Sequence, residues 1–233
     1  MKLIYIIMNH FKFLLKNFLF IIRYGLEKKN ISISLKFSLI FVIHYFRKVL
    51  LFRKYKNEKF SFKSLIIEKK FSNDWFTENI PSWVYLFKQI NSKNEIKCLE
   101  IGSYEGMSAL FSLTKLSNSK IDCVETFQGS DEHSKLDFSK VEKNFYYNLS
   151  NFKDRYQIFK MTSDDFFKDR LTHKMYDFIY IDGSHFSEQV YRDAINSFRF
   201  LNTNGIIIFD DFLKKFYKKI DQNPINGVIT FIK

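Results

Sequence analysis

The distribution of apolar and polar positions divides the chain into two parts. From about residue 96 onward, five short apolar runs alternate with segments of helical spacing. They predict strands at 96–101, 120–125, 155–160, 176–182 and 205–209, and helices at 107–116, 131–149, 163–167 and 186–201. Because nearly continuous apolar runs are typical of strands covered on both faces, the pattern predicts an α/β fold with a doubly wound parallel sheet.

Residues 1–70 follow a different pattern, in which single cations interrupt apolar stretches. We interpret them as a basic amphipathic helical extension of a domain that covers 71–233. Helical spacing places cations on one face of each of two segments, which are Lys12, Lys16 and Arg23 in 11–23 and Lys36, Arg47 and Lys48 in 31–52. The longest stretch of the second segment without Lys or Arg, 37–46, is ten residues long and too short to span a bilayer. Residues 53–70 are predicted to be a charged connector.

Both tryptophans precede the first predicted strand. Pro81 suits the first turn of a helix that runs to about Ile90, and Trp83 and Phe87 would share one face of it. We expect this helix to close one side of the core. Contact with a substrate is the second interpretation.

The positive charge is concentrated in the extension. Residues 1–70 hold 16 Lys and Arg against 3 Asp and Glu, whereas residues 71–233 hold 21 against 22. A nucleic-acid-binding face on the domain is therefore not expected. Two interpretations of the extension stay open: residues 1–60 lie on an anionic membrane surface, or they pack on the domain or on a second subunit of a homo-oligomer. Two cysteines imply no disulfide framework, so we expect a cytoplasmic protein, peripheral at the inner face of the membrane under the first interpretation.

The turn after the first predicted strand is the first candidate for chemistry. Glu100 lies near the end of that strand, and Gly102 and Gly106 flank a tight turn before the next helix. A strand, a glycine turn and a helix N-terminus direct several backbone N–H groups at one cavity. The spacing Glu-x-Gly-x-x-x-Gly differs from the Gly-x-Gly-x-x-Gly of dinucleotide sites. This difference weighs against the alternative of a nucleotide-binding oxidoreductase.

Acidic residues lie at the carboxyl ends of four of the five predicted strands. They are Glu100, Glu125, Asp182 and the pair Asp210 and Asp211. Ligands of doubly wound sheets bind outside the carboxyl ends of the strands, where an acid such as Glu125 can accept hydrogen bonds from ribose hydroxyls. Neighbouring carboxylates at Asp182, Asp210 and Asp211 would repel one another, and a hard cation such as Mg²⁺ would relieve that repulsion. A hydroxyl bound to this cation would lose its proton easily, and a neutral His185 could accept it.

Five segments together resemble one family over about residues 71–233. In chain order they are DWFTENIPSW, CLEIGSYEGMS, CVETFQGSDEH, YDFIYIDGSH and GIIIFDDF. They resemble class I S-adenosylmethionine (SAM)-dependent methyltransferases, of the group that includes bacterial sugar and macrolide-sugar O-methyltransferases. The resemblance implies a cofactor site at Glu100, Gly102, Ser103, Tyr104, Gly106, Glu125, Thr126 and Asp182. Ser163 either caps the following helix or lies near the adenine, and it is counted with this site.

The resemblance also implies the chemistry. Metal-dependent O-methyltransferases related to catechol O-methyltransferase hold a divalent metal at the positions of Asp182, Asp210 and Asp211. They place a basic residue three positions after the first of these acids, where this chain has His185. We therefore expect metal-assisted O-methylation of a sugar or small polyol-like hydroxyl, with a small molecule or a glycan as acceptor and with Asp182 and His185 as catalytic residues.

One departure from the family concerns the end of the sheet. Family members continue after the fifth strand with a helix and an antiparallel pair of strands, and we predict that this pair is missing here. A non-catalytic, membrane-associated module with a truncated SAM fold is therefore a further alternative.

Overall fold

The computed structural model describes residues 2–90, 94–129, 137–168 and 175–233. Its strands are β1 Ile96–Ile101, β2 Ser119–Val124, β3 Tyr156–Phe159, β4 Tyr176–Ile181 and β5 Leu201–Phe209. Its α-helices are α1 Lys2–Glu27, α2 Ile31–Leu65, α3 Ile80–Ile90, α4 Met107–Lys115, α5 Val141–Asn148, α6 Ser163–Lys168, α7 Ser187–Arg199 and α8 Pro224–Ile232.

The five strands form one parallel sheet in the order β3-β2-β1-β4-β5. The chain first moves outward from β1 to β3 and then returns to the other side of β1, so the order reverses between β1 and β4. Every residue of β4 is buried, as expected for a strand covered by helices on both faces. The predicted doubly wound parallel sheet is confirmed, and β4 lies next to β5 as the predicted meeting of their terminal acids requires.

Two boundaries within the sheet domain differ from the prediction by four residues or more. β5 begins at Leu201 instead of residue 205, because Asn202 donates its side-chain amide to Asp177 at 2.7 Å and so fits beside β4. α5 begins at Val141, since the Asp137 side chain accepts a hydrogen bond from the Ser139 backbone at 2.9 Å and forms a turn there. The part of the predicted helix at 131–136 lies outside the described residues.

The predicted connector at 53–70 is wrong as far as Leu65, because α2 continues to that residue. Tyr55, Lys59 and Phe62 are buried at helical spacing, and the Phe62 ring lies 5.2 Å from that of Phe111 in α4. Burial of this face stabilises the helix beyond the last long apolar stretch. Tyr55 has non-helical dihedrals and marks a kink.

The extension packs on the domain, as one of its two interpretations expected. Ile21 and Tyr24 of α1, Phe41 of α2 and Ile225 and Ile229 of α8 form one buried cluster. The Tyr24 hydroxyl also donates to the Asn226 side chain at 3.0 Å. In the described part of the chain, no helix has a segment both long and apolar enough to cross a bilayer.

α3 closes one side of the core, as expected. The rings of Trp83 and Phe87 lie 5.5 Å apart, and both side chains are buried. Trp83 also contacts Tyr180 of β4, with ring centroids 4.8 Å apart. The helix therefore supports the strand that ends at Asp182.

Candidate active site

A cavity of about 500 Å³ opens at the carboxyl ends of the strands. Its lining includes most of the predicted site residues, namely Gly102, Tyr104, Glu125, Thr126, Ser163, Asp182, His185, Asp210 and Asp211. Glu100, Ser103 and Gly106 do not line it. The topology thus brings the predicted cofactor residues and the predicted acidic group to one space, as expected where the strand order reverses.

The turn between β1 and α4 depends on its glycines. Gly102 has φ +84°, and a Cβ there would lie 2.2 Å from the Asp182 carbonyl oxygen. Gly106 has φ +80°, and its nearest neighbours would be side-chain carbons of Phe145 and Leu149. Only glycine adopts these dihedrals without strain, so Gly102 allows β1 and β4 to end in close contact while both face the cavity.

Glu100 lies beneath this turn, and Ser103, which is part of the turn, is buried. Glu100 is 1% exposed, and the Ser108 hydroxyl of α4 donates to its Oε1 at 2.9 Å. Burial raises the pKa of Glu100 to about 8, although the Ser108 hydrogen bond acts in the opposite direction. Its Oε2 has no hydrogen-bond partner among the described residues. The carboxyl group supports the turn from below and does not line the cavity.

We expect the stability of the cofactor-free protein to fall as Glu100 ionises. The folded chain keeps this proton after the unfolded chain has lost it, so the free energy of unfolding should decrease from pH 5 to pH 8 by up to about 3 kcal/mol. Glu100→Gln retains the shape of the side chain and removes this contribution. Urea unfolding of both proteins at the two pH values measures the difference. Equal pH dependence would show that Glu100 is ionised in the folded chain throughout.

Glu125 anchors the two loops beside the cofactor part of the cavity. Its Oε2 accepts the Tyr104 backbone N–H at 2.8 Å, and its Oε1 accepts the Phe127 N–H at 2.7 Å. Each carboxylate oxygen retains a further lone pair for a ligand hydroxyl. Thr126 lines the cavity beside it and accepts the Gln128 N–H at 3.3 Å.

Trp75 and Phe138, which the sequence analysis did not assign to the site, form one wall of the cavity together with Tyr104. The Trp75 and Tyr104 rings lie 4.9 Å apart, and Tyr104 contacts Phe138 at 5.8 Å. Trp75 is the tryptophan that precedes the α3 helix, and the helical spacing of Trp83 and Phe87 gave no sign that it faces the site. This wall offers flat apolar surface for a planar or apolar ligand group.

A polar group closes another side of the cavity. Thr162 accepts the Asp165 N–H at 3.1 Å and thus caps α6, while Ser163 lines the cavity and accepts a hydrogen bond from Gln189 at 3.1 Å. Asp193 of α7 also lines the cavity, and burial raises its pKa to about 6. Neither Gln189 nor Asp193 was identified from the sequence, because both lie on a helix whose amphipathic pattern explains them equally well.

Asp182 and Asp210 flank the Tyr180 hydroxyl at the ends of β4 and β5. The hydroxyl lies 3.0 Å from Asp182 Oδ2 and 2.8 Å from Asp210 Oδ2. Burial is the largest cause that raises the pKa of Asp182, to about 7, and the charge of Asp210 adds to it. Burial also raises the pKa of Asp210, followed by the charge of Asp211. The repulsion expected among these acids is thus present in the geometry.

His185 and Asp211 form the second half of the acidic group. His185 Nε2 lies 3.2 Å from Asp211 Oδ2 and 3.6 Å from Asp182 Oδ1. Its ring stacks on Phe216 with centroids 4.0 Å apart and an interplanar angle of 12°. Lys214 Nζ lies 2.7 Å from Asp211 Oδ1. Burial tends to raise the pKa of Asp211, but hydrogen bonds from His185 and Lys214 outweigh it and the pKa is lowered.

The donor atoms that lie closest together differ from the predicted metal ligands in one residue. Asp182, His185 and Asp211 each offer one donor atom, and these atoms all lie within 4.8 Å of one another. Asp210 lines the cavity but has an oxygen directed at Tyr180. Carboxylates suit Mg²⁺ and Mn²⁺, whereas an imidazole suits later transition metals. The acids therefore fit a hard divalent cation, and His185 can be either a ligand or a base.

The model of a family described as "Methyltransferase domain" matches residues 99–212. The fold is similar to that of an O-methyltransferase from Bacillus cereus in complex with S-adenosylhomocysteine, at 16% identity, with 76% of each chain covered and a TM-score of 0.50. It is also similar to a Klebsiella pneumoniae protein proposed to be an O-methyltransferase, at 12% identity, with 78% of this chain and 76% of that chain covered and a TM-score of 0.50. A search of curated protein sequences finds no significant match.

The family match runs from the second half of β1 to the start of the loop after β5, and so contains both the glycine turn and the acids. Both structural neighbours are distant in sequence, and they support the fold. The match to a methyltransferase family agrees with the sequence pattern. It argues against the alternative of a nucleotide-binding oxidoreductase. Residues 99–212 thus form a methyltransferase domain with the class I fold.

Proposed function

We propose that the protein transfers the SAM methyl group to a hydroxyl of a sugar or a small polyol-like acceptor, with the help of a divalent cation. The observation that carries the proposal is the position of His185, whose Nε2 lies 3.2 and 3.6 Å from carboxylates of Asp211 and Asp182 in the cavity. A base beside acids that can bind a hard cation suits the ionisation of an alcohol. Nitrogen or thiol acceptors need no such cation.

The cofactor side of the cavity supports this proposal. SAM supplies a methyl group on a positively charged sulfur. Glu125 would accept hydrogen bonds from the ribose hydroxyls while it anchors Tyr104 and Phe127. Gly102 lets the backbone approach the ligand, and the wall of Trp75, Tyr104 and Phe138 would exclude water from one side.

The acceptor side provides the proton transfer. In the proposed step, the ring nitrogen of His185 that carries no proton accepts the proton of the acceptor hydroxyl, and the hydroxyl oxygen bonds to the methyl carbon as the bond from carbon to sulfur breaks. The products are a methyl ether and S-adenosylhomocysteine. Asp182 and Asp211 stabilise the imidazolium that forms, and the stacked Phe216 ring holds the imidazole in its orientation.

The residues that would hold the cation are Asp182 and Asp211, with Asp210 beside them. Their oxygens are the ligand type that Mg²⁺ and Mn²⁺ prefer. The cation would relieve the repulsion among the acids and lower the pKa of the acceptor hydroxyl. Lys214 now neutralises Asp211 and would have to move away from it or share its oxygens.

We expect chelation to abolish methyl transfer and to leave SAM binding largely intact. Transfer from methyl-labelled SAM to a panel of sugars, nucleotide sugars, polyols and amines would be measured with and without EDTA, and then after addition of Mg²⁺ or Mn²⁺. Calorimetric titration with S-adenosylhomocysteine measures cofactor binding under the same conditions.

The outcomes separate the parts of the proposal. Transfer to a hydroxyl acceptor at an undiminished rate in excess EDTA would exclude the cation and leave His185 as an unaided base. Transfer to amines alone would exclude O-methylation. Cofactor binding without transfer to any acceptor, with or without cation, would favour the non-catalytic module.

A further inference from the structure

The α1–α2 hairpin presents a continuous row of apolar side chains to solvent. On α2 this row, called the outer stripe, consists of Ile31, Leu35, Leu39, Ile43, Phe46 and Leu50. Each of these side chains is between 54% and 63% exposed. Steps of three or four residues keep them on one helical face, and at about 1.5 Å per residue the stripe is roughly 28 Å long.

The two faces of α2 differ in which residue types they bury and expose. The face of α2 that packs on α1 contains Ser34 and Ser38, both buried, and Ser34 donates to the Ile21 carbonyl at 2.9 Å. Gly25 of α1 leaves the space that this contact needs, since a Cβ there would lie 1.7 Å from Ser34 Oγ. A helix that only covers a soluble domain buries its large apolar residues and exposes its serines. Here two serines share the internal contact with Phe41, and larger aliphatic residues of the same helix face outward.

The outer side of α1 adds apolar surface and positive charge. Leu15, Leu19 and Leu26 are 46% to 57% exposed. At helical spacing they adjoin the face that carries Lys12, Lys16 and Arg23, which are also exposed. Exposed cations also adjoin the outer stripe on α2, where Lys36 precedes Ile43 by seven residues and Lys54 follows Leu50 by four. Residues 1–70 carry a net charge of +13.

From this combination we infer that the α1–α2 hairpin docks on an anionic lipid bilayer. The outer stripe would enter the boundary between headgroups and acyl chains, and the flanking lysines and arginines would extend to the lipid phosphates. Charge complementarity favours a bilayer over a second copy of this chain, because a symmetric contact would bring two surfaces of the same high positive charge together. The inference does not depend on the proposed reaction.

Docking at this surface would also orient the active site. The ring of Phe37 on α2 lies 6.0 Å from that of Phe212, which directly follows Asp211. The hairpin therefore packs beside the acidic end of the cavity. An acceptor at the membrane surface would meet the cavity from a fixed direction.

The test is co-sedimentation of the full chain with phosphatidylcholine vesicles that contain or lack phosphatidylglycerol. We expect binding to the anionic vesicles that weakens as salt is added. Leu35→Gln/Leu39→Gln/Ile43→Gln should reduce partitioning by more than about tenfold. Ile67→Gln is the matched control, because Ile67 is 79% exposed and lies beyond the end of α2. Lys12→Gln/Lys16→Gln should reduce binding by about fivefold per cation, and Lys153→Gln should not.

Several results would overturn the inference. These are equal binding of the parent and the triple glutamine variant, equal binding to neutral and anionic vesicles, and no binding of the full chain to either. Analytical ultracentrifugation would reveal the remaining alternative. A dimer that the triple variant abolishes would identify the outer stripe as a subunit interface. Circular dichroism and titration with S-adenosylhomocysteine confirm that each variant is folded.

Discussion

Gly102→Ala should weaken SAM binding by at least about 100-fold, because the backbone at the cofactor loop would have to move. A methyl group at this position would lie 2.2 Å from the Asp182 carbonyl oxygen and 2.7 Å from Gly183 Cα. These are main-chain atoms at the end of β4, and no rotamer change can relieve the clash. Calorimetric titration with S-adenosylhomocysteine measures the loss, and circular dichroism shows whether the sheet still forms.

Gly106→Ala provides the matched comparison. Gly106 has nearly the same positive φ, but its Cβ would meet only side-chain carbons of Phe145 and Leu149, at 3.1 to 3.3 Å. The cost is then mainly that of the left-handed conformation, and about tenfold weaker binding is expected. An equal loss in both variants would show that dihedral strain, and not the contact between β1 and β4, determines the effect.

The sheet could be predicted because its sequence pattern is local. Each strand is a short apolar run, and the acids that follow the runs mark the carboxyl ends where ligands of doubly wound sheets bind. Glu125 and Asp182 consequently line the cavity as expected. The topology also predicts that the glycine turn lies beside the end of β4. It does not predict how short the distance between Gly102 and the Asp182 carbonyl oxygen is.

The missed features depend on contacts between distant parts of the chain. Trp75 reaches Tyr104 across 29 residues, and its own neighbourhood predicts only a helix start. Asp210 and Asp211 are adjacent in sequence, yet one faces Tyr180 and the other faces His185, because Asp211 has a positive φ of 55°. Pattern analysis treats such a pair as equivalent, and only the backbone conformation separates them. α2 was predicted too short for the same reason, since its last turns are stabilised by burial against α3 and α4.

His185→Ala should lower turnover by at least about 100-fold and change the affinity for a divalent cation by less than about threefold, if the imidazole is the base. Asp211→Asn should have the opposite balance. It should weaken cation binding by about tenfold or more, because an amide oxygen can still coordinate but brings no charge. Electron paramagnetic resonance of Mn²⁺ measures binding without turnover, and the methyl-transfer assay at saturating Mn²⁺ measures the chemical contribution.

Asp210→Asn is the control that separates the predicted metal ligands from the observed donor group. The carboxylate of Asp210 accepts the Tyr180 hydroxyl at 2.8 Å, and an asparagine amide oxygen can do the same. If Asp182 and Asp211 hold the cation, this variant should bind Mn²⁺ nearly as well as the parent. A loss equal to that of Asp211→Asn would restore the ligand set of three aspartates.

If His185→Ala weakens Mn²⁺ binding as strongly as Asp211→Asn, the imidazole is a ligand, as its closeness to both carboxylates allows. The proton of the acceptor must then pass to another group in the cavity, and the pH dependence of turnover in the His185→Ala chain would report the pKa of that group.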